Sequence, residues 1–280
     1  MNVSADFTWK SRLVKPNNSP LLPNNLRALC IGKSNSGKSV LIFNLLLQPD
    51  WVDYNHLFVF AKTLHQTEYQ ILQKGFEIGL SKQQIANIFR NQDAFQKVNL
   101  NPVQVIDQYT GERKGDIKAE FYADCNMVPD PSELKCDEKN FLLLDDCFLG
   151  SQNKIEAYYT RGRQNNCQVA YISQSYFRLP RHSVRENMNF LIMFPQDSKN
   201  LQHIYADHCD RDMSLAEFKR FCQAVWSSGP HHFVTLDLTS DKWNGRYRKN
   251  LDCFYYDIEL FYYDIELFYY DVELFYHDVE

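Results

Sequence analysis

Residues 32–39 read Gly-Lys-Ser-Asn-Ser-Gly-Lys-Ser. A glycine followed after four residues by Gly-Lys-Ser is a phosphate-binding loop, and it works only when a strand leads into it and a helix leads out. The flanks comply. Residues 26–31 (Leu-Arg-Ala-Leu-Cys-Ile) have the length and apolar content of a buried strand, and residues 40–47 (Val-Leu-Ile-Phe-Asn-Leu-Leu-Leu) continue as a helix. A triphosphate lying at a helix N-terminus accepts several backbone N–H groups at once if the chain curls tightly, so Gly32 and Gly37 stand where side chains would obstruct. Lys38 supplies a cation for the β- and γ-phosphates. The Ser39 hydroxyl has the reach to coordinate a Mg²⁺ ion that bridges them. The expected nucleotide contacts are therefore Gly32, Lys33, Ser34, Asn35, Ser36, Gly37, Lys38, Ser39 and Val40.

A second motif lies downstream. Residues 140–146 (Asn-Phe-Leu-Leu-Leu-Asp-Asp) form a continuous apolar run closed by two carboxylates. Such a run suits a central parallel strand buried on both faces, which puts the acids at the C-terminal edge where α/β sheets bind ligands. Asp145 is expected to hold Mg²⁺ through water, and Asp146 to accept a proton from the attacking water. Residues 168–174 read as another strand, ending in Gln174; the resemblance to additional-strand ATPases, which carry a polar side chain at this position, implies that it orients water and reports loss of the γ-phosphate. Of the arginines near these strands, Arg163 is the first choice and Arg161 the second for a guanidinium donated to a neighbouring subunit's γ-phosphate.

At 280 residues the chain suffices for one α/β domain with additions. Residues 1–25, with Pro16, Pro20 and Pro23, read as an extended lead-in; residues 26–250 read as the P-loop domain and 251–280 as a separate tail. Between the motifs, a strand at 57–60, a helix near 66–74 and helical spacing over 80–97 are expected, with a short strand and loops over 100–118. Later come a strand at 190–194, a capping box at Ser214 and Glu217 that opens a helix to about residue 226, and a closing strand at 233–237. Eight cysteines without a Cys-x-x-Cys pair, behind a polar N-terminus, predict free thiols in a reducing, intracellular setting. No apolar run is long enough to predict a membrane span. His203, His208, Cys209, Cys222, His231 and His232 cluster late without the spacing of a zinc site, and none is expected. The net charge of −5 is uneven, because residues 252–280 hold nine Asp or Glu and no Lys or Arg. Residues 1–251 carry 30 basic against 26 acidic side chains, a mildly basic body that permits contact with DNA.

Taken together, the P-loop, the Asp-Asp strand and residues 172–180 (Ile-Ser-Gln-Ser-Tyr-Phe-Arg-Leu-Pro) resemble the genome-packaging ATPases of the FtsK-HerA superfamily. The resemblance is to the poxvirus-type packaging ATPases of large DNA viruses and Maverick/Polinton elements. It covers roughly residues 25–250, including residues 185–189 (Arg-Glu-Asn-Met-Asn), 221–226 (Phe-Cys-Gln-Ala-Val-Trp), Leu236, Asp237 and 247–250 (Tyr-Arg-Lys-Asn). It implies an α/β fold, a P-loop NTPase of the additional-strand class with a central, mostly parallel sheet flanked by helices. It further implies ATP hydrolysis with Mg²⁺ in a homo-oligomeric ring, a hexamer or pentamer, that drives double-stranded DNA into a viral capsid. The implied partners are DNA and a capsid or portal-vertex protein, with no membrane. The implied place is the host cytoplasm or nucleus at sites of virion assembly, or the virion itself. One departure is Asp146, where many members carry the longer Glu.

From Phe254 the chain becomes a seven-residue repeat of Phe-Tyr-Tyr-Asp-Ile-Glu-Leu. It reads as a low-complexity acidic appendage from expansion of a short DNA repeat, with docking on capsid protein or another subunit as the alternative. A P-loop small-molecule kinase is the competing function, but no arginine-rich lid stands out. A GTPase would need an Asn-Lys-x-Asp segment, which is missing. A decayed or domesticated copy that only binds DNA is the third reading, and intact Lys38, Ser39 and Asp145 speak against it.

Overall fold

The computed structural model describes residues 16–92, 97, 101–106, 115–149 and 152–255. The repeat beyond Tyr255 lies outside them, as does most of residues 93–114. Among the described residues nine strands form one sheet in the order β3-β2-β4-β5-β1-β6-β7-β8-β9. The strands are β1 (Arg27–Ile31), β2 (His56–Ala61), β3 (Lys118–Tyr122), β4 (Asn140–Asp145), β5 (Cys167–Ser173), β6 (Phe190–Met193), β7 (Val234–Asp237), β8 (Tyr247–Lys249) and β9 (Cys253–Phe254). The first six of that order run parallel, and β7, β8 and β9 add antiparallel at one edge.

The parallel strands are apolar throughout because helices cover both faces. Alternate residues divide between two cores. Cys30, Val59, Leu143 and Ile172 face the layer made by α1 (Lys38–Leu47), α2 (Thr67–Glu77) and α3 (Lys82–Arg90). Ile31, Phe60, Leu144 and Tyr171 face α5 (Gln152–Arg161), α6 (Ser198–His208) and α7 (Leu215–Ser227). Phe141 to Leu144 are each no more than 1% exposed, as a central strand requires. The capping box at Ser214 opens α7 as expected, and a second one at Ser81 opens α3.

Several expectations need correction. Within residues 100–118 the chain forms a helix, α4 (Pro102–Ile106), before β3 begins at Lys118. Asn101 caps it by accepting the Val103 N–H at 2.9 Å, and proline at the first helical position has no N–H to lose. Residues 233–237 do not close the sheet; β8 and β9 follow, and Arg248 ties β8 to β7 through a 2.6 Å ion pair with Asp237, both nearly fully buried. The described part of the lead-in packs against the domain, with Asn18 and Leu22 buried and the Asn18 amide donating to Gln168 Oε1 at 2.6 Å. The domain likewise continues past residue 250, since Tyr255 is buried among α7 and β8 side chains. Finally, the cysteines are not all free: Cys125 and Cys147 are disulfide-bonded, because the turn after β4 brings their Cα atoms to 5.6 Å. The other six cysteines are free thiols. No helix among the described residues is long and apolar enough to cross a membrane.

Candidate functional site

Parallel register places every strand end of interest on one edge. Ile31 of β1 lies beside Ser173 of β5, and Asp145 of β4 lies beside Ile172 of β5. The P-loop and the acidic pair are thus separated by one intervening strand, and the residue after Ser173, Gln174, emerges between them. Two backbone bonds hold this seam: Gly32 N–H donates to the Ser173 carbonyl at 3.2 Å and Asp146 N–H to the Ile172 carbonyl at 3.2 Å.

The loop itself is shaped by its glycines. Gly37 has φ +100°, a region that side chains disfavour, and it turns the chain into the N-terminus of α1. A Cβ on Gly32 would stand 2.7 Å from both Phe194 Cβ and Ser36 Oγ, so the backbone comes too close for any larger residue. Lys38 is 8% exposed, and its ammonium donates to the Lys33 carbonyl at 2.6 Å, folding back over the loop. Burial pulls the Lys38 pKa below the usual lysine range, against the pull of Cys30, Asp145 and Asp146. Asn35, Ser36, Gly37, Lys38, Ser39 and Val40 line a cavity of about 160 Å³ with Phe43, Gln66 and Glu68.

Asp145 is the centre of the charge network. Its Oδ2 accepts from Ser39 Oγ at 3.3 Å and from the Tyr69 hydroxyl. Burial raises its pKa; the bonds from Tyr69 and Ser39 lower it, Asp146 raises it further and Lys38 opposes. Asp146 is exposed and holds a left-handed backbone with φ +50°, a conformation costly for a non-glycine residue and frequent at functional sites. The residues present fit Mg²⁺ and a nucleotide. A hydroxyl and a carboxylate, both hard oxygen donors, meet at Ser39 and Asp145, and Ser36 Oγ is buried without a hydrogen-bond partner in the loop that would cradle phosphate.

Of the residues expected from sequence, the structure brings together residues 32–40, Asp145, Asp146 and the backbone of Gln174, whose side chain is exposed. It does not bring Arg163 to them. Arg163 sits just before β5, near Arg27 at the start of β1, whose pKa burial, and after it the Arg163 charge, hold below the usual arginine range. This is the N-terminal edge of the strands, roughly 20 Å from the loop at 3.3 Å per residue. Arg161 is on the same edge and pairs with Asp130 at 3.3 Å. Neither can reach the site of its own chain. Sequence reasoning missed Tyr69, Gln66, Glu68 and His231, whose Nδ1 donates to the Ser36 carbonyl at 3.2 Å. The only sequence signal for Gln66, Glu68 and Tyr69 is that α2 follows the strand beside β4 and so starts at the same edge, whereas His231, in the turn before β7, has none.

A P-loop after β1, an acidic pair after β4 and an extra strand between the two define a P-loop NTPase fold of the additional-strand class. No protein-family model matches the chain, and no curated protein matches it. Among solved structures, it is similar to the genome packaging NTPase B204 from Sulfolobus turreted icosahedral virus 2. In the sulfate complex the identity is 13%, the alignment covers 83% of this chain and 98% of that one, and the TM-score is 0.48. The AMPPCP complex of B204 shows 12% identity over 77% and 93% at TM-score 0.45. VirB4 of Thermoanaerobacter pseudethanolicus shows 9% over 76% and 87% at TM-score 0.38. The class itself stands on strand order and loop geometry.

Proposed function

We propose that this protein hydrolyses ATP to move double-stranded DNA, as the motor that packages a viral or virus-like genome into a capsid. The observation that carries the reading is the placement of β5 between β1 and β4, which lands Gln174 between the phosphate loop and the acidic pair. Packaging in particular rests on the residues of 172–180 and 185–189 that resemble packaging ATPases.

In this reading the N–H groups of residues 33–39 and the Lys38 ammonium bind the phosphates, with Lys38 leaving the Lys33 carbonyl for a phosphate oxygen. Ser39 and Asp145 would hold Mg²⁺, which supplies charge neutralisation at the β- and γ-phosphates when bound. Asp146 accepts the proton of the attacking water, and Gln174 orients that water and relays phosphate loss. Arg163, on the opposite edge, serves the neighbouring subunit of a ring of five or six copies, which docks on a capsid or portal-vertex protein.

The test is ATP hydrolysis by the full chain with and without linear duplex DNA, beside Lys38→Ala and Asp145→Ala. Stimulation by DNA that disappears in both variants, at least a hundredfold down, is the expected result. Hydrolysis that ignores DNA would favour the metabolite kinase, and an unchanged rate in Lys38→Ala would remove the site assignment.

A further inference from the structure

The loop that follows Gln174 carries aromatic and cationic surface that the nucleotide site does not use. Phe177 is 49% exposed. Its ring stacks on His203 of α6 with centroids 4.6 Å apart, and Lys199 Nζ stands 5.1 Å from the same ring centre. The next residue, Arg178, is exposed and holds its guanidinium 5.7 Å from the ring of Phe148, two positions beyond Asp146. Both cations are thus positioned by aromatic faces.

Their charges are left open. Five arginines of the body are paired with carboxylates, Arg161 with Asp130, Arg181 and Arg185 with Asp207, Arg246 with Asp212 and Arg248 with Asp237. Among the described residues, neither Arg178 nor Lys199 has such a partner. Asp197, which opens α6 close by in sequence, gives one oxygen to the Asn200 N–H at 2.8 Å and the other to the Asn200 amide at 3.1 Å.

The base under this surface is held by hydrogen bonds and a buried ion pair. Phe177 N–H donates to Asn200 Oδ1 at 3.3 Å, and the Tyr176 hydroxyl donates to Asp207 Oδ2 at 2.9 Å. Arg185 pairs with the same oxygen at 3.1 Å, both side chains being 7% exposed. The exposed groups therefore stand on a hydrogen-bonded support, Phe177 and Arg178 on the loop that follows Gln174 and Lys199 and His203 on the first turns of α6.

Fixed unpaired cations beside an open aromatic ring match a nucleic-acid backbone: each cation neutralises one phosphate, and the ring lies against sugar or base. We propose that Phe177, Arg178, Lys199 and His203 form a contact for duplex DNA on the rim of the nucleotide site, with Arg178 and Lys199 each taking a backbone phosphate. This rests on the translocase reading and names the surface that would grip the substrate.

The test uses the full chain and a fluorescently labelled mixed-sequence duplex, with anisotropy recorded over a series of KCl concentrations. The double variant Arg178→Gln, Lys199→Gln should bind at least tenfold more weakly at low salt. Its log–log salt slope should fall by about 1.8, two phosphate contacts at about 0.9 each. Phe177→Ala should weaken binding about tenfold with the slope kept, and Arg178→Lys should keep the slope as well. All should retain the unmodified melting temperature and DNA-independent hydrolysis. Wild-type affinity and slope in the double variant, with the unmodified chain binding normally, would overturn the surface alone. An unmodified chain that binds no duplex at any salt would overturn the translocase reading and this surface with it. Loss of self-association by sedimentation at unchanged DNA affinity would assign the patch to a contact between copies and overturn the DNA role.

Discussion

Tyr69 shares one carboxylate oxygen of Asp145 with Ser39, so the residue best placed to hold Mg²⁺ is balanced between opposing influences. Burial drives its pKa up, which favours the neutral acid, and the two hydroxyl donors pull it down, which favours the carboxylate that binds a cation. Tyr69→Phe keeps the ring packed edge-on against Phe43 and removes one donor. The pKa of Asp145 then rises further, and because the protonated acid cannot hold the metal, the acid limb of kcat/KM for ATP hydrolysis moves to higher pH while the alkaline limb stays. A pH–rate profile of the variant checks this. An acid limb that stays or moves down would show that the Tyr69 bond has no such effect.

The turn after β4 is constrained twice, by the left-handed backbone at Asp146 and by the disulfide from Cys147 to Cys125. The bond closes a loop with a sequence separation of 22 and ties the acidic strand end to the segment that follows β3. On the chain-entropy model such a loop contributes about 3 kcal/mol, roughly 6–12 °C in Tm for a domain of this size. Thermal melts of Cys125→Ser, Cys147→Ser should show that loss. Reductant should lower the melting temperature of the unmodified protein to the same value and leave the variant unmoved. Equal melting temperatures with and without reductant would mean that the bond adds no stability. The loop after β5 is held differently, by the buried Arg185–Asp207 pair. Residues 185–189, part of the resemblance to packaging ATPases, therefore work as a support: Asn189 also accepts the Arg27 N–H at 2.8 Å, fastening β6 to β1.

At the scale of the whole molecule, Arg163 and the P-loop lie on opposite edges of one sheet, so the proposed role of this guanidinium requires a second copy. Arg163→Ala and Lys38→Ala should each lose hydrolysis alone, and mixing them should restore part of it, up to about a quarter of the unmodified rate if each working interface needs one intact residue from each copy. No recovery at any mixing ratio would withdraw the trans role. Much of this architecture is readable from local pattern: the order strand, loop, helix around residues 32–39, the doubly buried run at 140–145 and the cap at Ser214 all depend on neighbours within a few residues. Beyond that reach the signal fades. The two motifs bring Ser39 to Asp145 through an expected shared Mg²⁺, but nothing announces Tyr69, 76 positions away, and the helix at 102–106 is hidden among turn-forming residues. The amino-acid order alone settles that a phosphate loop and a buried acidic strand exist, because spacing and apolarity are local properties. Which strand lies between them, that the Tyr69 hydroxyl reaches Asp145, which cysteines join and which edge carries Arg163 follow from the crossovers of a parallel sheet, whose register brings distant residues together through packing that no local pattern encodes.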